Sequence, residues 1–239
     1  MARRRFFVPV IAAGAAELRG EEARHLGRVL RAEAGQLYEI SDNHGVWLAE
    51  IAEAHGDRVV FRAIEPIAAS EIPVHITLCA ALIKFDRFEW MVEKATELGA
   101  ERIQPVETAR SEKGLFEASR KRSERWVRIA RESSQQSRRV RVPEILPALR
   151  FAPALALPAG HRYFLEEAAA PPFLHALPVV RTPSAEVAIL IGPEGGWTGS
   201  ERQAAAAAAW QPVSLGPHVL RAETAAAAAL ALVVNAWIQ

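Results

Sequence analysis

Alternating apolar and polar positions characterise the first 70 residues and predict short β-strands. The stretches GQLYEISD and VWLAEIAEA flank the turn-like sequence DNHG at residues 42–45, which is typical of a β-hairpin with a four-residue connection. RVVFRAIEPI at residues 58–67 predicts a further strand that Pro66 would end. EEARHLGRVL at residues 21–30 predicts a short helix before them. Several short strands in so few residues favour a small barrel, because a closed sheet leaves no edge exposed.

The hydrophobic pattern changes after Pro73, which marks the predicted boundary between domains at residues 1–72 and 73–239. VHITLCAALI is almost wholly apolar, as expected of a strand that is covered on both faces. Residues 86–99 carry an apolar stripe at helical spacing and end at Gly99, and RIQPVET predicts the next strand. Strand, helix and strand at this spacing indicate a parallel crossover, so the second domain is predicted to be α/β.

Two later segments repeat one arrangement: a short apolar run, a Gly-Pro turn and an alanine-rich helix. They are ILIGPEGGWTGSE at residues 189–201 and VSLGPHVLRAET at residues 213–224. Open α/β sheets bind ligands at the carboxyl ends of their strands, where glycine lets the backbone approach a ligand closely. Thr198 or Ser200 could cap the helix that follows the first turn. Either motif alone could be an ordinary strand-to-helix turn, but the pair predicts a ligand site.

The last helix is predicted at residues 222–238 and is apolar on nearly every side. Such a helix must be buried on more than one face. Its small residues allow close helix packing, which suggests a homodimer formed through this helix; deep burial within one subunit is the alternative.

Composition adds a charge asymmetry that the total conceals. The 239 residues carry a net charge of only +1, yet residues 110–141 contain eleven Arg and Lys against four Glu. Concentrated positive charge is what phosphate binding needs, although a solvated helix face explains many such runs. No apolar run reaches the length of a membrane span, and Cys79 is the one cysteine. We expect a soluble, intracellular protein with a buried thiol and no zinc site.

Several common site signatures are absent from the sequence. It contains no GxxxxGK[ST] loop, no GxGxxG fingerprint, no GxSxG elbow and no HExxH pair. A triphosphate site would demand a lysine beside the glycine turns. Apolar glycine turns with few charges suit an adenosyl group that is held by backbone amides and carbonyls.

The motifs also resemble a known family. GPEGG followed by LGPxVLRxET resembles the signature of the SPOUT methyltransferases, and most closely the RsmE family, which methylates N3 of a uridine in 16S ribosomal RNA. HLGRVLR, EKATELG and RVPEI extend this resemblance over essentially the whole chain. It implies a PUA-like N-terminal barrel and a deep trefoil knot at about residues 187–224 that holds S-adenosylmethionine. It further implies a cytoplasmic homodimer, formed through the C-terminal domain, that acts on the small ribosomal subunit without a metal or a membrane.

The resemblance implies that Arg221 and Glu223 lie near the methyl donor, and we hypothesise a role for each. Arg221 would stabilise the developing uracil anion or anchor a phosphate, while Glu223 would accept a hydrogen bond, act as a base, or serve only as a helix N-terminal charge. The expected RNA contacts are His25, Arg28, Arg31, Arg110, Arg138 and Arg139, and surface solubility is the alternative for the first three. The implied cofactor contacts are Leu165, Glu166, Leu190, Ile191, Gly192, Pro193, Gly195, Gly196, Leu215, Gly216, Val219 and Leu220.

The sequence departs from the family pattern at two positions in the second motif. His218 stands where arginine is common, and Ala222 replaces a threonine. Two other functions stay open at this stage. One is a SPOUT enzyme that acts on another RNA, such as transfer RNA, and the other is a ribosome-assembly factor that binds RNA without catalysis.

Overall fold

The computed structural model describes residues 4–28, 30–69 and 71–238. Its contacts divide the chain into two units. Met1–Glu71 and Ser134–Val142 form the N-terminal unit, and Ile72–Ser133 and Pro143–Gln239 form the C-terminal unit. The N-terminal unit is therefore discontinuous in sequence.

Ser134–Val142 joins the N-terminal unit through hydrogen bonds to Arg5 and Ser41. Arg5 donates through Nη1 to the carbonyl of Arg138, and Ser41 Oγ donates to the carbonyl of Val140 at 2.6 Å. Arg5 itself is buried and forms an ion pair with Glu39, at 2.9 Å between Nη2 and Oε2. The boundary predicted at residue 73 does not include this grouping, because the contacts join residues 133 and 99 positions apart.

The N-terminal unit contains a six-stranded sheet with the order β1-β4-β5-β6-β3-β2. The pair β1-β4 is parallel and the other pairs are antiparallel. The strands are β1 Arg5–Phe7, β2 Ile11–Ala12, β3 Ala15–Arg19, β4 Leu37–Ser41, β5 Val46–His55 and β6 Arg58–Ile67. The predicted helix at residues 21–30 corresponds to α1, Glu21–Arg28; residue 29 lies outside the described residues.

The predicted hairpin is confirmed, with residues 42–45 linking β4 to β5. The Asp42 carboxylate accepts hydrogen bonds from the amides of His44 and Gly45, both at 3.1 Å. The strand predicted at residues 58–67 is confirmed as β6, which ends one residue after Pro66, and Pro66 itself pairs with Trp47. Its other side faces no strand, because β3 pairs with β6 only as far as Arg62, and a missing amide is tolerated there.

The C-terminal unit contains a parallel sheet with the order β10-β8-β7-β12-β11-β13, and β9 pairs with β8. The strands are β7 Val74–Ala81, β8 Arg102–Glu107, β9 Glu144–Ile145, β10 Leu149–Arg150, β11 His161–Leu165, β12 Ala185–Ile191 and β13 Gln211–Val213. The helices are α2 Phe85–Glu97, α3 Leu115–Ser119, α4 Ser123–Gln136, α5 Phe151–Leu155, α6 Phe173–Ala176, α7 Gly199–Ala207 and α8 Ala222–Trp237; the last three residues of α4 are grouped with the N-terminal unit.

The parallel crossover predicted from the sequence is confirmed. The strand β7 pairs with β8 in parallel, and α2 connects the two strands along the chain. The buried face of α2 includes Phe88, Met91 and Val92. Gly99 follows α2 and has φ +93°, a conformation that glycine adopts without strain. Cys79 lies fully buried in β7, and burial raises the pKa of its thiol to about 12, so the group stays neutral at pH 7.

Helix α8 follows the edge strand β13 but packs against α2, β7 and β12 near the middle of the sheet. Its buried face includes Ala226, Leu230 and Val233, while Thr224 and Asn235 are exposed. The sheet order also places β12 between β7 and β11. As a result, the carboxyl ends of β11, β12 and β13 lie together, and the chain leaves each of them by a loop.

None of the helices in the described ranges combines the length and the apolar character that a transmembrane span requires.

Candidate functional site

The loops that leave β11, β12 and β13 surround an open cleft of about 620 Å³, a volume that includes solvent at its mouth. Both glycine motifs predicted to bind a ligand contribute to it. Ten of the predicted cofactor residues line the cleft: Leu165, Glu166, Ile191, Gly192, Pro193, Gly196, Leu215, Gly216, Val219 and Leu220. The other two do not line it. Leu190 is fully buried within β12, and Gly195 lies beside the Arg110 side chain.

Trp197 determines the shape of the first glycine turn. Its indole Nε1 donates to the carbonyl of Leu165 at 2.7 Å, and its ring stacks on Phe164 with centroids 4.5 Å apart. The ring then lies against Gly192, where a Cβ would sit 2.9 Å from Cε2 of the indole. Gly192 is thus required for packing, since the aromatic ring that meets it is fixed on two sides.

Gly195 and Gly196 lie in the second half of the GPEGG turn, and each is required there for a different reason. Gly196 has φ +66°, and a Cβ there would overlap the carboxylate of Glu167. Gly195 accepts a hydrogen bond from Nη1 of Arg110, whose side chain packs over it. Sequence reasoning predicted Arg110 as an RNA contact, and the structure places it on the glycine turn.

Of the two residues predicted to cap this helix, Thr198 is the one that caps α7. Its hydroxyl accepts from the amide of Glu201 at 3.2 Å, while Glu201 Oε2 accepts from the amide of Thr198 at 2.9 Å. The second oxygen of Glu201 accepts from the amide of Ala109 at 2.8 Å. This capping box therefore ties the start of α7 to the loop that follows β8.

Glu166 lines the cleft, but its carboxylate is fully engaged within the protein. Arg202 donates to it through Nε at 2.5 Å and through Nη2 at 2.8 Å, and the amides of Glu167 and Ala168 donate at 3.1 and 3.3 Å. The Arg202 guanidinium holds the pKa of the Glu166 carboxyl below its ordinary value of 4.5. Arg202 also donates to the carbonyl of Trp197 at 2.7 Å, so this pair joins the loop after β11 to the glycine turn.

The predicted catalytic residues lie where α8 begins. Arg221 is exposed and precedes the helix, and its neighbours Leu220 and Ala222 line the cleft. Glu223 lies in the first helical turn and is 8% exposed, with Oε2 lacking a hydrogen-bond partner among the described residues. Neither Arg221 nor Glu223 lines the cleft itself. The structure therefore places both at its border.

Sequence reasoning missed several residues that line the cleft. Trp197 follows GPEGG directly, and an aromatic residue at that point was the available signal. Glu167, Glu194 and Ser214 also line the cleft, as does His218, which was noted only as a departure from the family pattern.

The ionisable residues that line the cleft are three glutamates and one histidine. No lysine or arginine lines it in the described part of the chain, so it does not suit a triphosphate. Glycine turns and backbone groups suit an adenosyl moiety, and carboxylates suit a ligand that carries positive charge. The described residues also contain no cluster of three or more His, Cys, Asp or Glu placed to hold a metal ion.

The remaining predicted RNA contacts all belong to the N-terminal unit. His25 and Arg28 are exposed in the last turn of α1, and Arg31 follows it with φ +50°. Arg138 is exposed at φ +58° and donates to Glu39 at 3.3 Å, and Arg139 is half-buried.

Comparisons with known proteins match both units. Residues 70–234 match an RNA methyltransferase domain family, and residues 18–64 match an RNA methyltransferase PUA domain family. The chain is 35% identical over 233 residues to ribosomal RNA small subunit methyltransferase E of Synechocystis, a match that covers 91% of this chain and 72% of that relative.

Two solved structures resemble the whole chain. One is ribosomal RNA small subunit methyltransferase E from Neisseria gonorrhoeae bound to S-adenosyl methionine, with a TM-score of 0.88, 31% identity and coverage of 99% and 98%. The other is a methyltransferase from Legionella pneumophila in complex with the bound cofactor SAM, with a TM-score of 0.88, 29% identity and the same coverage. The chain therefore belongs to the family of ribosomal RNA small subunit methyltransferase E, in which a PUA domain accompanies an RNA methyltransferase domain.

Proposed function

We propose that this protein transfers the methyl group of S-adenosylmethionine to N3 of a uridine in 16S ribosomal RNA of the small subunit. The main observation in support of this proposal is the cleft at the carboxyl ends of β11, β12 and β13. It is built from the two glycine motifs and occurs in a chain of this family, and among the described residues its lining has carboxylates but no lysine or arginine. Solved relatives hold S-adenosylmethionine, which is a cation at its sulfonium.

The reaction requires a nitrogen nucleophile. N3 of uracil must lose its proton. The methyl carbon then forms a bond to N3 as its bond to sulfur breaks, and S-adenosylhomocysteine leaves. Arg221 is exposed beside the cleft, where it can stabilise the developing uracil anion or hold a phosphate. Glu223 has an oxygen without a partner among the described residues and can accept the proton or a hydrogen bond.

The cofactor is proposed to lie against the ten predicted residues that line the cleft, with backbone groups of both glycine turns holding the adenosyl moiety. We further propose that residues 187–224 form the trefoil knot of this family. The return of α8 from the edge strand β13 to the middle of the sheet supports this topology. General rules of chain topology would not predict a knot, because knotted chains are rare.

We propose RNA contacts for the basic residues of the N-terminal unit and, separately, for Arg110 in the C-terminal unit. The six-stranded sheet is proposed to close as a PUA-like barrel. We also propose a cytoplasmic homodimer formed through the C-terminal unit. The exposed Ala231 and Asn235 of α8 and the exposed Ile238 beyond its end support an interface there.

The test is methyl transfer from labelled S-adenosylmethionine to small ribosomal subunits that lack the modification, with the product nucleoside identified by mass spectrometry. Formation of 3-methyluridine is the expected result. Cofactor binding with a product in transfer RNA would move the activity to another RNA, and RNA binding without cofactor binding would favour a non-catalytic assembly factor.

A further inference from the structure

Two consecutive glutamates follow β11, and the structure gives them different environments. Glu166 is one of the residues predicted to contact the cofactor. It accepts hydrogen bonds from Arg202 and from two backbone amides. Its side chain is 6% exposed, and its charge is compensated within the protein. Glu166 therefore holds the loop in place and has little capacity left for a ligand.

Glu167 has the opposite environment. It is exposed and lines the cleft, and its carboxylate lies over Gly196, where the missing Cβ leaves room for it. Among the described residues, its carboxylate has no hydrogen-bond or ion-pair partner within the protein. The guanidinium of Arg202 attracts Glu167 through space, but it donates its hydrogen bonds to Glu166 and to the carbonyl of Trp197.

Glu194 is the third carboxylate that lines the cleft, and it is also compensated. Oε1 of Glu194 pairs with Nη1 of Arg87 at 3.0 Å. Glu167 is thus the carboxylate of the cleft whose charge no described residue neutralises by direct contact. A ligand group with a positive charge would complement it.

We propose that Glu167 recognises a positively charged group of the cofactor and so contributes to binding of S-adenosylmethionine. This inference rests on the proposed function and adds to it a residue that the family resemblance did not assign. Two groups of the cofactor share the required chemistry, the α-ammonium of its methionyl portion and the sulfonium. A neutral adenosine thioether has neither group.

The test measures the binding of three ligands to the purified full chain by calorimetry: S-adenosylmethionine, S-adenosylhomocysteine and 5′-methylthioadenosine. The variant is Glu167→Gln, which keeps the shape of the side chain and removes its charge. The matched control is Glu194→Gln, which removes a cleft carboxylate that is already paired with Arg87. Binding of 5′-methylthioadenosine also reports whether the cleft of each variant is intact.

We expect Glu167→Gln to weaken S-adenosylmethionine by about tenfold, a typical effect of losing a charged hydrogen bond, and to leave 5′-methylthioadenosine within about twofold of the wild type. An equal loss for S-adenosylhomocysteine assigns the contact to the ammonium group, and a smaller loss assigns it to the sulfonium. Equal loss for all three ligands, no loss for any, or an equal effect of Glu194→Gln would overturn the inference. If the wild type bound none of the three ligands, the proposed function itself would fail, and the inference with it.

Discussion

The indole of Trp197 occupies the space beside Gly192 that a side chain would need, since a Cβ there would lie 2.9 Å from the ring. The ring cannot move aside without breaking its hydrogen bond to Leu165 and its stacking on Phe164. We expect Gly192→Ala to destabilise the protein by about 1–3 kcal/mol, the usual range for overpacking. Urea unfolding gives the free energy, and calorimetry should show weaker binding of S-adenosylmethionine.

Gly199 is the matched control for this substitution. It is the first residue of α7, its φ is not positive, and a Cβ there would meet nothing within 4 Å. Gly199→Ala should be neutral or should stabilise by up to about 1 kcal/mol, because alanine lowers the entropy of the unfolded chain. Equal stability of the two variants would contradict the role assigned to Trp197.

The ion pair of Glu166 and Arg202 predicts a pH dependence of stability. The pKa of Glu166 is lowered in the folded protein, so its contribution is complete above its ordinary pKa of 4.5 and is lost as the pH falls through the lower folded value. Glu166→Gln should cost about 1–3 kcal/mol at pH 7, as expected for losing hydrogen bonds to a charged group. The difference from wild type should shrink below pH 4.5 in urea unfolding.

Glu33→Gln is the control for that series, because Glu33 is exposed and its carboxylate has no ion-pair partner in the described ranges. It should follow the wild-type curve at every pH. A difference between Glu166→Gln and wild type that stays constant from pH 7 to pH 3 would argue against the ion pair as its source.

Arg221 is predicted to act in turnover rather than in cofactor binding. Because it would stabilise charge that develops on the uracil, Arg221→Ala should lower kcat by about 10²–10³-fold, the usual effect of removing one such donor. Calorimetry should show nearly unchanged affinity for S-adenosylmethionine. Arg150→Ala removes an exposed arginine at the opposite edge of the sheet and should retain full activity. Wild-type turnover by Arg221→Ala would remove Arg221 from the mechanism.

Arg138 is predicted to contact an RNA phosphate. Replacing it with glutamine should weaken RNA binding and reduce the slope of log K against log salt concentration by about 1. Arg62→Gln is the control in the same unit, since Arg62 is an exposed arginine that pairs with Glu50 at 2.5 Å. Filter binding over a range of salt concentrations measures both slopes. An unchanged slope in Arg138→Gln would mean that Arg138 meets no phosphate.

The sequence predicts the cleft well because its determinants are local. An apolar strand, a Gly-Pro turn and a capped helix are adjacent in the chain, and parallel strands bring their carboxyl ends together. The different environments of Glu166 and Glu167 could not be predicted this way. The two residues are identical and adjacent, and the residue that distinguishes them is Arg202, 36 positions later.

Contacts between distant segments explain two other features of the fold. Pro66 continues a strand because β3 stops pairing at Arg62, which a local pattern does not contain. Ser134–Val142 belongs to the N-terminal unit through Arg5 and Ser41, although its own sequence reads only as a helix end and a basic loop.

The discontinuous N-terminal unit has a consequence for synthesis of the chain. Residues 1–71 emerge from the ribosome first, but the segment that bonds to Arg5 and Ser41 ends only at Val142. At roughly 5–20 residues per second, roughly 4–14 seconds pass between the synthesis of residue 71 and that of Val142. During this interval Arg5 can pair with Glu39 but not with the carbonyl of Arg138. The N-terminal unit is therefore begun first and completed only after more than half of the chain has been translated.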